Sequence, residues 1–463
     1  MPANAKQLTF ADVILNRSGT VVFRILLVIF GGALQLFFRR IETVNADTVP
    51  TGTGVIFVLN HPNGLIDPAL VFVALPRKIA FLAKSTLFRM PVISFLLKTV
   101  EALPVYRRTD AGEDISQNLK TFEAAHERLR ASGSIALFPE GISHNSPKLL
   151  PMKTGAARIA LGSVNVAQGD DPIEVRIVPV GLYYTNKTTF RSEALLHFGE
   201  AFTVEPTPSD ETGQPEKEAV QRLTKRIEEA LREVTVNAEN EAELRTAGIA
   251  EEIFSTTAET DDLQARLKFT QDYLQNSRTG GAADPSDFER RLNELDADLT
   301  ASGIDAEHLS LARFTRGFVI KRALLETWYL LMLLPVAVIG AVLHFPAYQI
   351  SKLLSRIYAR HGADDVASTV KVLAGILFMP LTWFITAGVV YYFWGLWFAL
   401  ATIPAAFFSG WVALITLESF EELRGWGKAI LLFFGDKDRF LRLYVRRREL
   451  QEDLAELEAG RTK

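Results

Sequence analysis

The N-terminal half of the chain alternates short apolar runs with stretches in which apolar residues recur at helical spacing. Short apolar runs bounded by turn residues predict buried strands, and amphipathic stretches predict helices packed on them. This alternation is typical of an α/β domain. The apolar runs lie at 55–59, 79–83, 134–138 and 173–180, and the helical stretches lie at about 114–131 and 154–167.

The region 206–320 has a different pattern, rich in Glu, Ala, Arg and Thr. Two apolar stripes at helical spacing predict amphipathic helices, and the stretch NSRTGGAADPS at 276–286 predicts a flexible connection between them. No catalytic pattern occurs here, which favours a helical insert or linker. The stripes are Val220, Leu223, Ile227, Leu231 and Val234, and then Phe288, Leu292, Leu295 and Leu299.

Hydropathy then rises to the level of membrane segments. Residues 323–343 carry a single charge, and residues 372–417 form an uncharged run of 46 residues, enough for two helices of about 20 residues. All six tryptophans follow residue 320, as expected for a membrane interface. A shorter apolar stretch at 20–38 predicts a membrane-associated helix, while 345–371 and the tail predict cationic segments on the membrane surface.

These patterns predict an α/β fold with a mixed sheet and a C-terminal α-helical transmembrane region. Three crossings would place the tail and the α/β domain on opposite sides, against the positive-inside rule, so we expect one apolar segment not to cross. The predicted regions are an N-terminal membrane-associated helix (1–45), the α/β domain (46–205), a helical insert or linker (206–320), a transmembrane region (321–420) and a basic amphipathic tail (421–463).

Composition narrows the functions open to the chain. Its 463 residues are 48% hydrophobic, and 50 basic against 54 acidic residues give a net charge of -4, so there is no global field for nucleic acid. An anion site must therefore be built locally from a few Arg or Lys. The absence of cysteine excludes disulfides, a thiolate nucleophile and Cys-type zinc or iron–sulfur sites.

A candidate catalytic pair lies in VIFVLNHPNGLIDP at 55–68. His61 follows a strand-like run and Asn60, and Asp67 comes six positions later. A carboxylate at this distance can fold back on the imidazole, fix its tautomer and stabilise its protonated form. The pattern indicates a general base with its orienting partner, although alone it also fits two ordinary turn residues.

Four further patches follow in the α/β domain. LPVYRR at 103–108 places Arg107 and Arg108 after a strand-like stretch, and FPEGIS at 138–143 contains Pro139, Glu140, Gly141 and Ser143. KTGA begins at Lys153, and Val-Pro-Val is centred on Pro179. Each patch alone is common on protein surfaces.

In this order, the motifs resemble the glycerolipid acyltransferase family, which acylates glycerol-3-phosphate and 1-acylglycerol-3-phosphate. The resemblance covers about residues 50–205. It implies that His61 and Asp67 are catalytic and that the blocks containing Arg107 and Glu140 hold the phosphorylated acceptor.

Two departures from the family pattern stand out. Five residues separate His61 from Asp67 where most members have four; this resembles the fungal branch that acylates glycerol-3-phosphate and dihydroxyacetone phosphate, whose members also carry C-terminal spans. Glu101 replaces the glycine that precedes the arginine block. We therefore expect the acceptor to depend on the branch.

The chemistry of the residues agrees with the resemblance. A glycerol hydroxyl needs proton removal to attack a thioester, and a phosphate needs fixed cations. Glu140 would repel phosphate directly, so we expect it to orient an arginine or a glycerol hydroxyl, while backbone at Gly141 or Gly64 is a candidate donor to the oxyanion. The predicted site comprises His61 and Asp67 as catalytic residues, Arg107, Arg108, Glu140, Gly141 and Lys153 at the acceptor phosphate, and Asn60, Pro139, Ser143 and Pro179 as structural support.

The sequence thus predicts a membrane O-acyltransferase of phospholipid biosynthesis that needs no cofactor beyond acyl-CoA or acyl carrier protein as co-substrate. Its expected partners are the bilayer and a glycerol-3-phosphate or lysophospholipid acceptor, with no nucleic acid. We expect an integral membrane protein whose α/β domain faces the cytoplasm. Two alternatives stay open: a non-enzymatic membrane scaffold that retains the fold, and a metal-dependent hydrolase using His61, His144 and Asp67 as ligands. The spacing of these three residues does not match a known zinc-site motif.

Overall fold

The computed structural model describes residues 5–16, 19–107, 110, 112–166, 173–210, 214–254, 262–278, 285–309, 316–359 and 367–459. The chain divides into two compact units. The first comprises Met1–Asn237 and Tyr358–Val372, and the second comprises Ala238–Ile357 and Leu373–Lys463.

The first unit is built on a mixed sheet, as the sequence predicts. Its strand order within the described residues is β1-β2-β8-β7-β3-β6-β4-β5, with β9 pairing with β7. Strands β7, β3, β6, β4 and β5 run parallel to one another, whereas β8 pairs antiparallel with β7. The strands are β1 (Ala5–Gln7), β2 (Arg40–Val44), β3 (Gly54–Leu59), β4 (Ile79–Lys84), β5 (Leu103–Val105), β6 (Ser134–Leu137), β7 (Val175–Tyr184), β8 (Glu193–Phe198) and β9 (Phe202–Thr203).

Strand β3 occupies the centre of the sheet because it is apolar on both faces. All six of its residues are buried, as is typical of a parallel strand covered by helices on either side. The predicted helix at 114–131 begins as a short 3-10 turn, which the Asp114 side chain caps through the Ser116 amide, and continues as α5. The helices of this part are α1 (Phe10–Leu15), α2 (Val21–Phe37), α3 (Ile66–Ala74), α4 (Pro91–Thr99), α5 (Asn118–Arg130), α6 (Gly155–Val166) and α7 (Lys217–Val234).

The first unit extends beyond the predicted segment 46–205 at both ends. β2 precedes residue 46 and pairs with β8. The predicted stripe of α7 is buried in the core that also contains β3, β6 and α6, so this helix belongs to the α/β unit and not to a separate insert. The stripe marks the buried face correctly; its partner is the sheet.

Helix α2 has two apolar faces with different surroundings. One face packs inward, where the Phe23 ring lies 5.0 Å from the Phe72 ring of α3 and Leu27 and Leu34 are fully buried. The other face exposes apolar side chains that include Val21 and Ile25. The helix is therefore part of the fold, and its association with a membrane stays a prediction.

The second unit is helical. Its described helices include three that are long and apolar enough to cross a membrane: Thr327–Ile357, Ala367–Trp394 and Leu396–Gly435. The helices that follow α7 are α8 (Glu241–Phe254), α9 (Leu263–Arg278), α10 (Pro285–Ser302), α11 (Arg316–Ala359), α12 (Ala367–Trp394), α13 (Leu396–Gly435) and α14 (Lys437–Ala459).

The uncharged run at 372–417 forms two helices, as predicted, and they separate at Gly395. This residue has φ +86°, a conformation that favours glycine, and it caps α13. The predicted surface segment at 345–371 is not a separate element up to residue 359, because α11 continues through it despite Pro335 and Pro346. Of the predicted connection at 276–286, residues 276–278 belong to α9 and residues 279–284 lie outside the described residues.

The basic tail packs against other helices of the second unit. Phe440, Leu443 and Leu450 of α14 are buried, and the guanidinium of Arg447 donates to the backbone carbonyls of Ile253 and Ala306. The expectation of a cationic helix free to lie on a membrane surface is therefore wrong for this face of α14. An apolar stripe beside arginines fits both situations, and only the tertiary contacts distinguish them.

Candidate active site

The candidate site lies where the parallel strands end. Residues that follow the carboxyl ends of adjacent parallel strands converge at one edge of the sheet. His61 follows β3, Lys84 ends β4, Arg107 follows β5 and Glu140 follows β6. The strand order therefore brings together residues that are up to 79 positions apart.

Asn60 fixes the point at which the chain leaves β3. Its side-chain amide donates to the Leu182 carbonyl at 3.1 Å and accepts from the Leu182 amide at 2.7 Å. The side chain thus continues the pairing of β3 with β7 for one more residue. The backbone is therefore fixed at the point where His61 leaves the strand. This arrangement agrees with the supporting role predicted for Asn60.

His61 and Asp67 meet as the sequence predicts. His61 Nδ1 lies 2.8 Å from Asp67 Oδ2, which also accepts the Asn63 amide at 2.7 Å. The other carboxylate oxygen, Oδ1, accepts the Tyr184 hydroxyl at 2.5 Å. Asp67 lies in the first turn of α3 and is fully buried. Three donors therefore fix the carboxylate.

The imidazole is held in a defined orientation. Its ring stacks on Phe138 with the ring centroids 3.9 Å apart and the planes at 18°. Because Asp67 accepts from Nδ1, the second nitrogen, Nε2, is the one that can take a proton from a substrate. The His61 side chain is 17% exposed, so a substrate hydroxyl can reach a ring whose partner is sealed from water.

Tyr184 is a donor that the sequence analysis missed. Burial, together with the charge and hydrogen bond of Asp67, raises the pKa of Tyr184 well above its ordinary value of 10.0, so the hydroxyl keeps its proton. It lies 117 residues from Asp67 at the end of β7. The signal for it was weak: a tyrosine near the end of a strand that pairs with the strand before His61.

Glu140 is buried beneath the loop that carries His61. One carboxylate oxygen accepts the His61 amide at 3.1 Å, and the other accepts the Leu150 amide at 2.8 Å and contacts His144 Nε2. With 2% exposure, it has no open face for an acceptor. The structure thus gives Glu140 a different role from the predicted one at the acceptor: it orients the backbone of His61.

His144 locks this arrangement. Its Nδ1 accepts the Ser146 amide at 3.1 Å, so Nε2 carries the proton that points to Glu140. Its own amide donates to the His61 carbonyl at 3.1 Å. Both ring nitrogens are engaged away from Asp67, which speaks against a metal site formed by His61, His144 and Asp67.

Arg107 lies in a cluster of charges at the ends of β4 and β5. Its Nη1 donates to the Gly141 carbonyl at 2.7 Å, and its Nε donates to Asp110 Oδ2 at 3.0 Å. Lys84 Nζ lies 3.0 Å from Asp110 Oδ1. Burial raises the pKa of Asp110, but the hydrogen bonds and charges of Arg107 and Lys84 outweigh it and hold the pKa below its ordinary value.

Gly141 and Lys153 complete the same cluster. Gly141 has φ +80°, which favours glycine, and a Cβ placed there would lie 3.5 Å from Lys153 Cγ. The Lys153 amide donates to the Pro139 carbonyl at 2.7 Å, while its side chain is exposed. The structure therefore brings Arg107, Gly141 and Lys153 together, whereas Arg108 lies outside the described residues.

The remaining predicted support residues lie in the turn after β6 and in β7. Pro139 is buried in the turn after β6, and Ser143 is half-buried in the same loop. Pro179 is buried in β7, opposite Val58 of β3, and its carbonyl accepts the Gly199 amide at 2.8 Å. Lys84 was not predicted, although its place directly after the apolar run at 79–83 was a usable signal.

Glu101 has a left-handed backbone conformation, which favours glycine. Its φ is +55°, in the left-handed region, which is costly for a residue with a side chain. The carboxylate contacts Lys78 and Arg128. The hydrogen bond with Lys78, and then that with Arg128, lower the pKa of Glu101. A glycine would adopt this backbone conformation at a lower cost.

The fold and site define a class of protein. Residues 40–183 match the family model described as Acyltransferase, so this part of the chain is an acyltransferase-family domain. Its curated relatives include glycerolipid acyltransferases.

Two similar proteins come from Saccharomyces cerevisiae. Glycerol-3-phosphate O-acyltransferase 2 is 39% identical over 121 residues, 26% of this chain and 16% of that protein. Glycerol-3-phosphate O-acyltransferase 1 is 25% identical over 301 residues, 59% of this chain and 37% of that protein. A 1-acyl-sn-glycerol-3-phosphate acyltransferase of Borreliella burgdorferi is 26% identical over 154 residues, 33% of this chain and 55% of that protein. The chain thus spans well under two thirds of the length of the yeast relatives.

Proposed function

We propose that the protein is a membrane O-acyltransferase of phospholipid biosynthesis. It transfers a fatty acyl group from a thioester, acyl-CoA or acyl carrier protein, to a hydroxyl of glycerol-3-phosphate or 1-acylglycerol-3-phosphate. The observation that carries the proposal is the His61–Asp67 pair, whose 2.8 Å contact is fixed by the Asn63 amide and the Tyr184 hydroxyl. The names of the relatives support both acceptors.

In the proposed reaction, His61 Nε2 removes the proton of the acceptor hydroxyl as its oxygen attacks the thioester carbonyl. Asp67 stabilises the imidazolium that forms. The tetrahedral intermediate then collapses, the carbon–sulfur bond breaks, and His61 returns the proton to the departing thiolate. An ester and a free thiol result, and His61 and Asp67 end in their starting states.

The acceptor phosphate would bind at the charge cluster of Arg107, Lys84 and Lys153. The guanidinium of Arg107 is preorganised because it already donates to the Asp110 carboxylate and to the Gly141 carbonyl. Lys153 adds an exposed cation beside Gly141. A dianionic phosphate favours such a set because charge-assisted hydrogen bonds strengthen where water is partly excluded. Arg108 stays a candidate.

The apolar helices support a position in the membrane. Three helices have the length and composition of membrane spans, which suits an enzyme whose acyl donor and product partition into a bilayer. We propose that the acyltransferase domain faces the cytoplasm, where cationic side chains that α14 leaves exposed, such as Arg442, would favour an anionic leaflet.

The direct test is an acceptor panel with the purified full-length chain. Glycerol-3-phosphate, dihydroxyacetone phosphate, 1-acylglycerol-3-phosphate and other lysophospholipids are each offered with acyl-CoA or acyl carrier protein. We expect saturable ester formation with at least one phosphorylated glycerol acceptor. No transfer to any of them, from a protein that is folded and membrane-bound, would contradict the proposal and favour a scaffold that retains the fold.

A further inference from the structure

The loop between His61 and Asp67 is held by a segment about 300 residues away in sequence. The Leu65 amide, within the five-residue stretch that separates the catalytic pair, donates to Thr369 Oγ1 at 3.0 Å. Thr369 is buried in the first turn of α12. Thr369 belongs to the same compact unit as the loop, because 358–372 belongs to the first unit.

The same segment also contacts the neighbouring loop after β7. Ser368 is fully buried and donates its hydroxyl to the Lys187 carbonyl, which also accepts the Asn63 side-chain amide at 3.1 Å. Lys371 Nζ contacts the Thr188 carbonyl at 2.6 Å. Three hydrogen bonds thus join residues 368–371 to the catalytic loop and to the neighbouring loop after β7.

These bonds satisfy backbone groups of the five-residue stretch between His61 and Asp67. A backbone N–H that is buried without a partner is costly. Thr369 supplies the partner of Leu65, and the Asn63 amide donates to Asp67 itself. The Ser368 contact therefore reaches the carboxylate through the Lys187 carbonyl and Asn63.

We propose that Thr369 and Ser368 are positioning residues for the His61–Asp67 loop, so that the C-terminal segment completes the active site. The catalytic consequence of this inference rests on the proposed function, whereas its structural consequence rests on the contacts alone. The first turn of α12 is then part of the catalytic domain, and the apolar body of that helix follows it directly.

The test compares Thr369→Val, which removes the hydroxyl at nearly constant volume, with Thr369→Ser, which restores it. We expect T369V to lower kcat about fivefold, because the loss of one hydrogen bond changes an equilibrium constant by about that factor. The KM of the acyl donor should not change. T369S should recover most of the wild-type kcat. Thr386→Val on the same helix is the control, because the Thr386 hydroxyl bonds to the Thr382 carbonyl within α12.

Amide hydrogen exchange gives a second readout that needs no activity. The Leu65 amide should exchange about fivefold faster in T369V than in wild type, T369S or T386V. Equal exchange of Leu65 in all four proteins overturns the inference. If wild type shows no acyl transfer but the Leu65 amide still exchanges faster in T369V, the proposed function fails and the structural role of Thr369 stands. If T369V is active with an unchanged kcat, Thr369 has no catalytic role.

A different observation bears on how many apolar helices cross the membrane. Within the second unit, α14 packs on the helices that precede the apolar region. Arg446 pairs with Asp298 at 2.7 Å, and the buried Arg447 donates to the Ala306 carbonyl at 2.6 Å. Arg291 pairs with Asp453 at 2.5 Å. The three candidate spans lie between these partners in the chain.

We infer that residues 310–436 cross the membrane an even number of times, so at most two of the three apolar helices are spans. Charged partners in contact must lie on one side of the bilayer, whereas three crossings would separate them. This agrees with the expectation from the distribution of positive charge.

The chain has no cysteine, so single cysteines report its topology directly. Glu294→Cys in α10 and Glu452→Cys in α14 replace exposed side chains. In sealed vesicles, a membrane-impermeant maleimide should label both or neither, and permeabilisation should label both. Labelling of only one before permeabilisation overturns the inference.

Discussion

The hydroxyl of Tyr184 offers the sharpest perturbation of the site, because Tyr184→Phe removes one atom. That atom donates to Asp67 Oδ1 at 2.5 Å, and Asp67 is fully buried. A hydrogen bond to a charged group is worth about 1.5–3 kcal/mol, and its loss leaves half of a buried carboxylate unsatisfied. Since His61 and Asn63 still hold the other oxygen, we expect the lower end of that range in the barrier, about a tenfold loss of kcat.

The assay is steady-state acyl transfer with the acceptor found by the panel. Tyr184→Phe should lower kcat with little change in the KM of acceptor or donor, because the hydroxyl touches neither substrate in the proposed mechanism. Tyr183→Phe is the matched control, since successive residues of a strand face opposite sides of the sheet. A Y184F enzyme with wild-type kcat, or with a loss equal to that of Y183F, would refute the idea that Tyr184 fixes Asp67.

Three further predictions test other parts of the account. Arg107→Ala should raise the acceptor KM by at least tenfold and the donor KM by much less, because a phosphate contact is a charged hydrogen bond; equal rises would remove Arg107 from the phosphate site. Leu231→Ala should destabilise the α/β unit by about 2–5 kcal/mol in chemical unfolding, since Leu231 is fully buried between α7 and the sheet, whereas Lys225→Ala on the exposed face should change stability by under about 0.5 kcal/mol. Burial, and then the charge of Arg130, lower the pKa of His126 from 6.5, so the unfolded chain takes up this proton first. The stability that His126 contributes is therefore complete above pH 6.5 and is lost as pH falls through the lowered pKa. His126→Gln should accordingly lose less stability than wild type between about pH 7.5 and about pH 5.5.

The contact between His61 and Asp67 was predictable because the two residues are close in sequence. His61 and Asp67 are six positions apart, and a strand end followed by a helix start is a local pattern. Tyr184 contributes as directly to Asp67 but comes from 117 positions away, and nothing in its own neighbourhood marks it. Thr369, still further along the chain, carries no local signal at all.

Glu140 illustrates a different limit. Its turn motif was visible, and its charge suggested a contact with a guanidinium or a substrate hydroxyl. Its actual partners are the backbone amides of His61 and Leu150 and the ring of His144, because the turn folds beneath the neighbouring strand end. Burial of a charge is a tertiary property, so the residue type alone could not assign this role.

The helical regions divide in the same way. The stripe of α7 predicted a buried face correctly, since periodicity depends only on local sequence, but its partner was the sheet. The basic tail was predicted to be amphipathic, and the buried face of α14 contacts Ile253 of α8 and Ala306. Amphipathic pattern therefore locates the face that is buried, while the surface that buries it depends on contacts between distant residues.

The measurement that tests the central claim most directly is acyl transfer by His61→Ala beside wild type, with the acceptor identified by the panel. A general base contributes about 10²- to 10⁴-fold to a rate, so we expect at least a hundredfold loss of kcat. The variant should keep its membrane association and its thermal unfolding, because the His61 side chain is partly exposed. Wild-type kcat in a folded H61A protein would contradict the assignment of His61 as the base.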